Sequence, residues 1–351
     1  MAIELLTPFT KVELEPEIKD KKRKQVGILG VGSYLPSKIL TNHDLEKMVD
    51  TSDEWIVQRT GIRTRHIAAP EQATSDMALI AARRALEDAG VAPADLDLII
   101  VATATPDYGV YPSTACLVQD RLWATHAAAF DLSAGCTGFV YGVSVAAQMI
   151  ASGVYKKALV IGAETLSRIL NWEDRNTCVL FGDGAGAAVL GEVEEGYGIL
   201  GLDLGSDGAG SIHLMQPAGG SRKPASHETV DAKEHTVHMN GNEVFKFAVK
   251  IMGKTAKKSL EQAGLTNEDI DMLVPHQANI RIIQSAAKHF KMPMDKVWVN
   301  IDKYSNTSAA CIPIALTEMQ DQHAMKKGDN LLLVAFGAGL TWGSIVLKWC
   351  K

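Results

Sequence analysis

"ALEDAGVAPADLDLIIVATA" (85–104) lines up without gaps on "SLEQAGLTNEDIDMLVPHQA" (259–278). Leu86/Leu260, Glu87/Glu261, Ala89/Ala263, Gly90/Gly264, Asp95/Asp269, Asp97/Asp271 and Ala104/Ala278 are identical, and most other pairs exchange one apolar residue for another. Such self-similarity marks a duplicated unit. Each copy reads as the end of a helix, a closing glycine, a polar link and an apolar strand. At nearly the same offset, "ALVIGA" (158–163) is echoed by "LLVAFGA" (332–338). The chain is therefore read as two α/β halves, 25–195 and 196–351. The copies differ where chemistry would sit: the first has Ala102 where the second has His276. A cavity at the junction of two related halves is a natural active site.

Outward from the repeat, strands and helices alternate, as in α/β folds. "QVGILGVGSYLP" (25–36) reads as a strand followed by a Gly-rich turn. "SDMALIAARRALEDAG" (75–90) reads as a helix capped by Ser75 and closed by Gly90. "LDLIIVATAT" (96–105) is an unbroken apolar strand, the kind buried on both faces. "AAFDLSAGC" (128–136) is a strand leading into the small-residue helix "TGFVYGVSVAAQMIASG" (137–153), and "KKALVIGAE" (156–164) is a strand again. Residues 1–24, ending in "KDKKRK", show no periodic pattern and are read as an extension with a solvated basic run.

Composition narrows the function classes. Hydrophobic residues at 46% and charged residues at 22% fit a soluble globular protein. A net charge of −6 argues against a general nucleic-acid binder; an anionic partner would need a local basic patch. No apolar run approaches the roughly 18 residues of a membrane span, and the N-terminal stretch lacks the apolar region of a secretory signal. The five cysteines, Cys116, Cys136, Cys178, Cys311 and Cys350, are odd in number, widely spaced and without a CxxC. A disulfide framework and a zinc ribbon are not expected, and a cytoplasmic location fits better.

Cys136 stands at a strand-to-helix junction among Ala134, Gly135 and Gly138, which let a substrate approach. A thiol at a helix N-terminus faces unpaired N–H groups and the positive end of the dipole, which favours thiolate. The bland alternative is an inert buried thiol. His276 follows a buried strand in "LVPHQANIRI", with Asn279 and Arg281 close behind. Asn306 lies in the Ser/Thr-rich turn "YSNTSAAC", where a cap or Asx-turn is the plain reading. The close glycines of "FGAGLTWGS" let backbone N–H groups approach a ligand oxygen. The Gly-Lys-Thr of "MGKTA" lacks a P-loop's first glycine and reads as helix interior.

Taken in order, "DLSAGCTGF", "VPHQANIRI" and "YSNTSAA" resemble the β-ketoacyl-acyl-carrier-protein synthase III family of the thiolase superfamily. "DTSDEWIVQRTGIRTRHIAAP", "DRNTCVLFGDGAGAAVL" and "AFGAGLTWGS" carry the likeness from about residue 26 to the C-terminus. The resemblance implies a duplicated five-layered αβαβα fold and a decarboxylative Claisen condensation that begins type II fatty acid synthesis. An acyl group passes from acyl-CoA, with acetyl-CoA as the expected primer, to Cys136 and is then joined to malonyl-acyl-carrier protein. By the same resemblance, the N–H groups of Cys136 and Ala338 form the oxyanion hole, and His276 and Asn306 donate to the malonyl thioester oxygen. An asparagine at 306 differs from the second histidine of the chain-elongating enzymes. The resemblance further assigns Thr51, Trp55, Arg59, Arg175, Phe245 and Asn279 to CoA. It places Tyr111 in a dimer partner's acyl pocket, and Lys246, Arg281 and Lys288 on an acyl-carrier-protein docking patch. It implies a homodimer with no cofactor and no metal. Cys311 is a rival thiol at a place where the family tolerates small residues. The alternatives are a related thiolase-fold enzyme of secondary metabolism and a non-catalytic acyl-CoA-binding protein.

Overall fold

The computed structural model describes residues 23–351. The extension read over 1–24 lies outside them, apart from Arg23 and Lys24. In chain order the main elements of the first half are β1 (Val26–Tyr34), α1 (Asp53–Thr60), α2 (Thr74–Ala89), β2 (Leu98–Ala102), α3 (Thr114–Leu122), β3 (Ala128–Leu132), α4 (Gly138–Ala151), β4 (Lys157–Glu164) and β5 (Gly184–Glu192). The rest of the chain adds β6 (Gly198–Ser206), α5 (Gly241–Ala263), β7 (Met272–Pro275), α6 (Ile280–His289), α7 (Cys311–Asp321), β8 (Asn330–Gly337) and β9 (Thr341–Lys348).

These strands form the two large sheets, with orders β1-β5-β4-β2-β3 and β6-β9-β8-β7, and two small two-stranded sheets lie beside them among the described residues. In the first, β1–β5 and β5–β4 are antiparallel, and β4–β2 and β2–β3 are parallel. In the second, β6–β9 and β9–β8 are antiparallel and β8–β7 is parallel. The second sheet thus repeats the first four places of the first in order and direction. Its fifth place is marked by an isolated parallel bridge between Leu273 and Val297. The aligned segments 85–104 and 259–278 fall on α2–β2 and α5–β7.

Side-chain alternation builds the layers. On β2, Leu98 and Ile100 face a core shared with α4 and α7, whereas Ile99 and Val101 face one shared with α2 and α3. On β8, Leu331, Leu333 and Ala335 enter that same α4–α7 core, whereas Leu332, Val334 and Phe336 pack with α5 and α6. The order is therefore helix, sheet, helix, sheet, helix, with α4 and α7 in the middle. This explains why the strands are continuously apolar: both faces of each sheet are covered.

Two local readings are corrected. The glycines of "VGILGVGSY" lie inside β1, with an irregularity at Ile28/Gly30, rather than in a turn after it. Helix α2 crosses so closely that a Cβ on Gly30 would come within 2.4 Å of Ala89 N. Helix α2 also begins at Thr74 with Ala73 in the capping position, not Ser75. The Asp76 carboxylate accepts the Ala73 N–H at 2.7 Å, and Ser75 instead donates through both its N–H and hydroxyl to Asp107, at 2.8 and 2.6 Å.

Candidate active site

Ligands in open α/β sheets bind beyond the carboxyl ends of the parallel strands. Here those ends from both sheets meet. Cys136 follows β3 within the single turn Gly135–Thr137 that opens α4. His276 directly follows β7, and Gly337 ends β8. Asn306 joins the segment Leu180–Gly182: its N–H donates to Leu180 O at 3.0 Å, and its carbonyl accepts the Gly182 N–H at 3.1 Å. Cys136, His276, Asn306 and Gly337 line one cavity of about 720 Å³. Its wall also carries Trp55, Arg59, Arg175, Phe245, Asn279 and Arg281. Three arginines and, among the described residues, no carboxylate make this lining suited to an anionic ligand.

Each polar group has a defined orientation. Asn306 Oδ1 accepts the Ser308 N–H at 2.9 Å, which leaves its NH2 group as a donor. His276 is buried, and burial alone lowers its pKa to about 3, so the imidazole is neutral. Its Nδ1 lies 2.8 Å from Cys311 Sγ, and Phe336 meets the ring edge-on at 5.4 Å. Gly337 permits a close approach to the nucleophile: a Cβ there would lie 2.7 Å from Cys136 N. The end of β8 therefore passes directly against the Cys136 amide, and Ala338 N, next in the chain, would lie 3.1 Å from a Cβ on Gly135.

The thiol does not behave as its helix-end position suggests. Burial pushes Cys136 up to about 11, and the nearby Glu164 adds to this, while a hydrogen bond from Ser308 opposes it. Desolvation disfavours the charged form and so works against the helix end.

Sequence reasoning missed Glu164, the last residue of β4. It is fully buried and accepts hydrogen bonds from Thr105 Oγ1 at 2.7 Å, Thr103 Oγ1 at 3.3 Å and the Ala104 N–H at 3.1 Å. Burial raises it to about 7. The available signal was a carboxylate ending the apolar run "KKALVIGAE". Cys311, read as a rival thiol, is buried beside His276 instead of lining the cavity.

At the cavity mouth Trp55 carries the guanidinium of Arg59 at 4.7 Å and that of Arg175 at 5.3 Å from its ring centre. Arg175 also donates to Asp50 O at 3.0 Å. Asn279 caps α6 through Arg281 N at 2.8 Å and donates to Arg59 O at 2.9 Å, so its amide holds the wall together. Arg281 lies over Phe245, 5.6 Å from the ring centre. Lys246 and Lys288 are exposed outside the cavity on α5 and α6, and Lys246 pairs with Glu243 at 2.7 Å. Thr51 is not in the lining; its hydroxyl is buried without a hydrogen-bond partner among the described residues. Tyr111 does not line its own chain's cavity either. It is 82% exposed, beside Val110 at 79%, on the loop before α3. Among the described residues no helix is long and apolar enough to cross a membrane.

Comparison with known proteins gives the same direction. A family model described as 3-oxoacyl-[acyl-carrier-protein] synthase III matches residues 130–208, and the model of that family's C-terminal part matches 260–349. The chain is 65% identical over 325 residues to the β-ketoacyl-[acyl-carrier-protein] synthase III of Caldanaerobacter subterraneus subsp. tengcongensis, covering 93% of this chain and 98% of the relative. The crystal structure of the 3-oxoacyl-[acyl-carrier-protein] synthase III of Aquifex aeolicus VF5 superposes with a TM-score of 0.85 at 47% identity, over 92% of this chain and all of that one. The priming β-ketosynthase of the R1128 polyketide pathway superposes at 0.87 with 36% identity, over 96% and 99%. With identity at this level across nearly the full length, the chain belongs to the β-ketoacyl-[acyl-carrier-protein] synthase III family, condensing acyltransferases of fatty acid biosynthesis.

Proposed function

We propose that the chain condenses acetyl-CoA with malonyl-acyl-carrier protein, giving 3-oxoacyl-acyl-carrier protein, CoA and CO2. The observation that carries this is the convergence of Cys136, His276 and the Asn306 amide on one arginine-rimmed cavity. In the first half-reaction the Cys136 sulfur attacks the thioester carbonyl and CoA leaves as its thiol, so the acyl group moves from one sulfur to another. The Cys136 and Ala338 N–H groups stabilise the tetrahedral oxyanion. In the second, the bond to the malonyl carboxylate breaks and CO2 departs. Negative charge then grows on the thioester oxygen, where His276 and Asn306 donate hydrogen bonds. The enolate carbon attacks the acyl carbonyl and Cys136 is released.

The remaining roles follow the same reading. Trp55, Arg59, Arg175, Phe245 and Asn279 receive the CoA moiety, while Arg281, Lys246 and Lys288 meet the acidic carrier protein. Tyr111 reaches a second copy's acyl pocket in a homodimer. The halves 25–195 and 196–351 supply the nucleophile and the donors respectively. Likeness to a polyketide-priming β-ketosynthase keeps a secondary-metabolic role as the second reading.

Intact-mass measurement after incubation with acetyl-CoA tests the core claim. An acetyl adduct should form and be absent from Cys136→Ala, and CO2 should be released once malonyl-carrier protein is added. An unmodified wild-type protein would overturn the reading. A primer panel from acetyl to decanoyl, with branched members, separates the two metabolic roles.

A further inference from the structure

The proposed chemistry needs a hydrogen-bond donor from His276, but a neutral imidazole offers one donor and one lone pair. Which nitrogen carries the proton depends on its partners. His276 is buried and neutral, so both of its tautomers are available in principle. Its Nδ1 points away from substrate space, at Cys311 Sγ 2.8 Å away. Cys311 opens α7, is buried, and does not line the cavity.

The direction of this bond follows from where the thiol proton can go. Burial raises the Cys311 thiol far above its ordinary range, so the S–H is retained. Two other thiols, Cys116 and Cys350, donate to carbonyls, Ala129 O at 3.8 Å and Ile28 O at 3.1 Å. For Cys311, His276 Nδ1 is the acceptor within reach among the described residues. The reverse arrangement would strand the thiol proton in an apolar interior and turn the His276 Nε2 lone pair toward a developing enolate oxygen.

We infer that Cys311 is a positioning residue: its thiol donates to His276 Nδ1 and fixes the tautomer in which Nε2 carries the proton. The inference rests on the proposed role of His276, and it makes Cys311 part of the condensation machinery without contact with substrate. Phe336, edge-on against the ring, opposes a flip that would exchange the two nitrogens.

The test uses full-length protein labelled with 15N-histidine, with the His276 signals identified by their loss in His276→Ala. In the wild type, Nδ1 should be unprotonated and Nε2 protonated near neutral pH. Cys311→Ser keeps a donor and should keep this pattern. Cys311→Ala should give a mixed or reversed tautomer and lower malonyl decarboxylation by roughly tenfold or more, as for other groups that orient a functional histidine. Its rate of Cys136 acylation should be retained, which simple loss of structure would not allow. A proton on Nδ1 in the wild type overturns the inference, and this measurement does not depend on either variant folding. An unchanged tautomer in Cys311→Ala also overturns it. If the tautomer shifts while decarboxylation is unaffected, Cys311 keeps its role, and it is the donor role of His276 that fails.

Discussion

Ala102 and His276 hold the same place at the ends of equivalent strands, and different neighbours constrain each. A Cβ added to Gly138, at the start of the Cys136 helix, would lie 2.8 Å from the Ala102 methyl. A larger side chain at 102 would push that helix away. His276 instead sits between Cys311 and the edge of Phe336. One half keeps its strand end small so that the thiol can come in, and the other fills the same place with an imidazole.

Asn306→Ala should leave acylation of Cys136 intact and reduce malonyl decarboxylation roughly 100- to 1,000-fold, the usual cost of one oxyanion donor. Because Ser308 N–H occupies Asn306 Oδ1, the donor lost is the NH2 group. Measuring the two half-reactions separately checks this, and equal losses in both would contradict the assignment.

Iodoacetamide labelling of Cys136 should be slow at neutral pH and climb about tenfold per pH unit, since only the thiolate reacts. With the thiol pushed up to about 11, the climb should continue past its ordinary value of 9.0. A plateau below that value, read by mass spectrometry on this peptide, would show that the helix end outweighs burial.

Glu164 gives stability a specific pH dependence. Its pKa in the fold, about 7, is above the ordinary 4.5. Its contribution is therefore fully present below 4.5 and is lost as pH rises through about 7. Glu164→Gln does not titrate, so the wild type should lose stability relative to it across this window, by about 3 kcal/mol at most. Urea midpoints for both proteins at several pH values measure the difference, and parallel curves would contradict the burial argument.

Trp55→Ala should raise KM for acetyl-CoA about tenfold, the scale of a lost base-stacking platform, with little change in kcat. Arg59 and Arg175 already lie on the Trp55 ring, so the pocket contains cationic groups at that distance before any ligand arrives. An unchanged KM would remove the indole from the binding site.

Arg281→Glu should weaken use of malonyl-carrier protein more than use of acetyl-CoA, and the gap should narrow as salt is added. Steady-state kinetics with each substrate varied in turn separates the effects. Equal losses on both substrates would place Arg281 in the CoA channel alone.

By itself the sequence determined the duplication, the α/β alternation and the doubly covered strands. A gapless repeat and an unbroken apolar run are local patterns, and burial on both faces demands that composition wherever the strand lies. The residue types able to do thiol chemistry were equally visible. Only the tertiary structure decided that Cys136, His276 and Asn306 share a cavity, because that depends on how two sheets stack around α4 and α7. It also decided what spacing hides: that Gly30 lies under a helix, that Cys311 sits on His276, and that Glu164 is buried near the thiol. Each is a contact between segments far apart in the chain. The desolvation that sets the protonation of Cys136 and His276 comes from those contacts, not from the flanking residues.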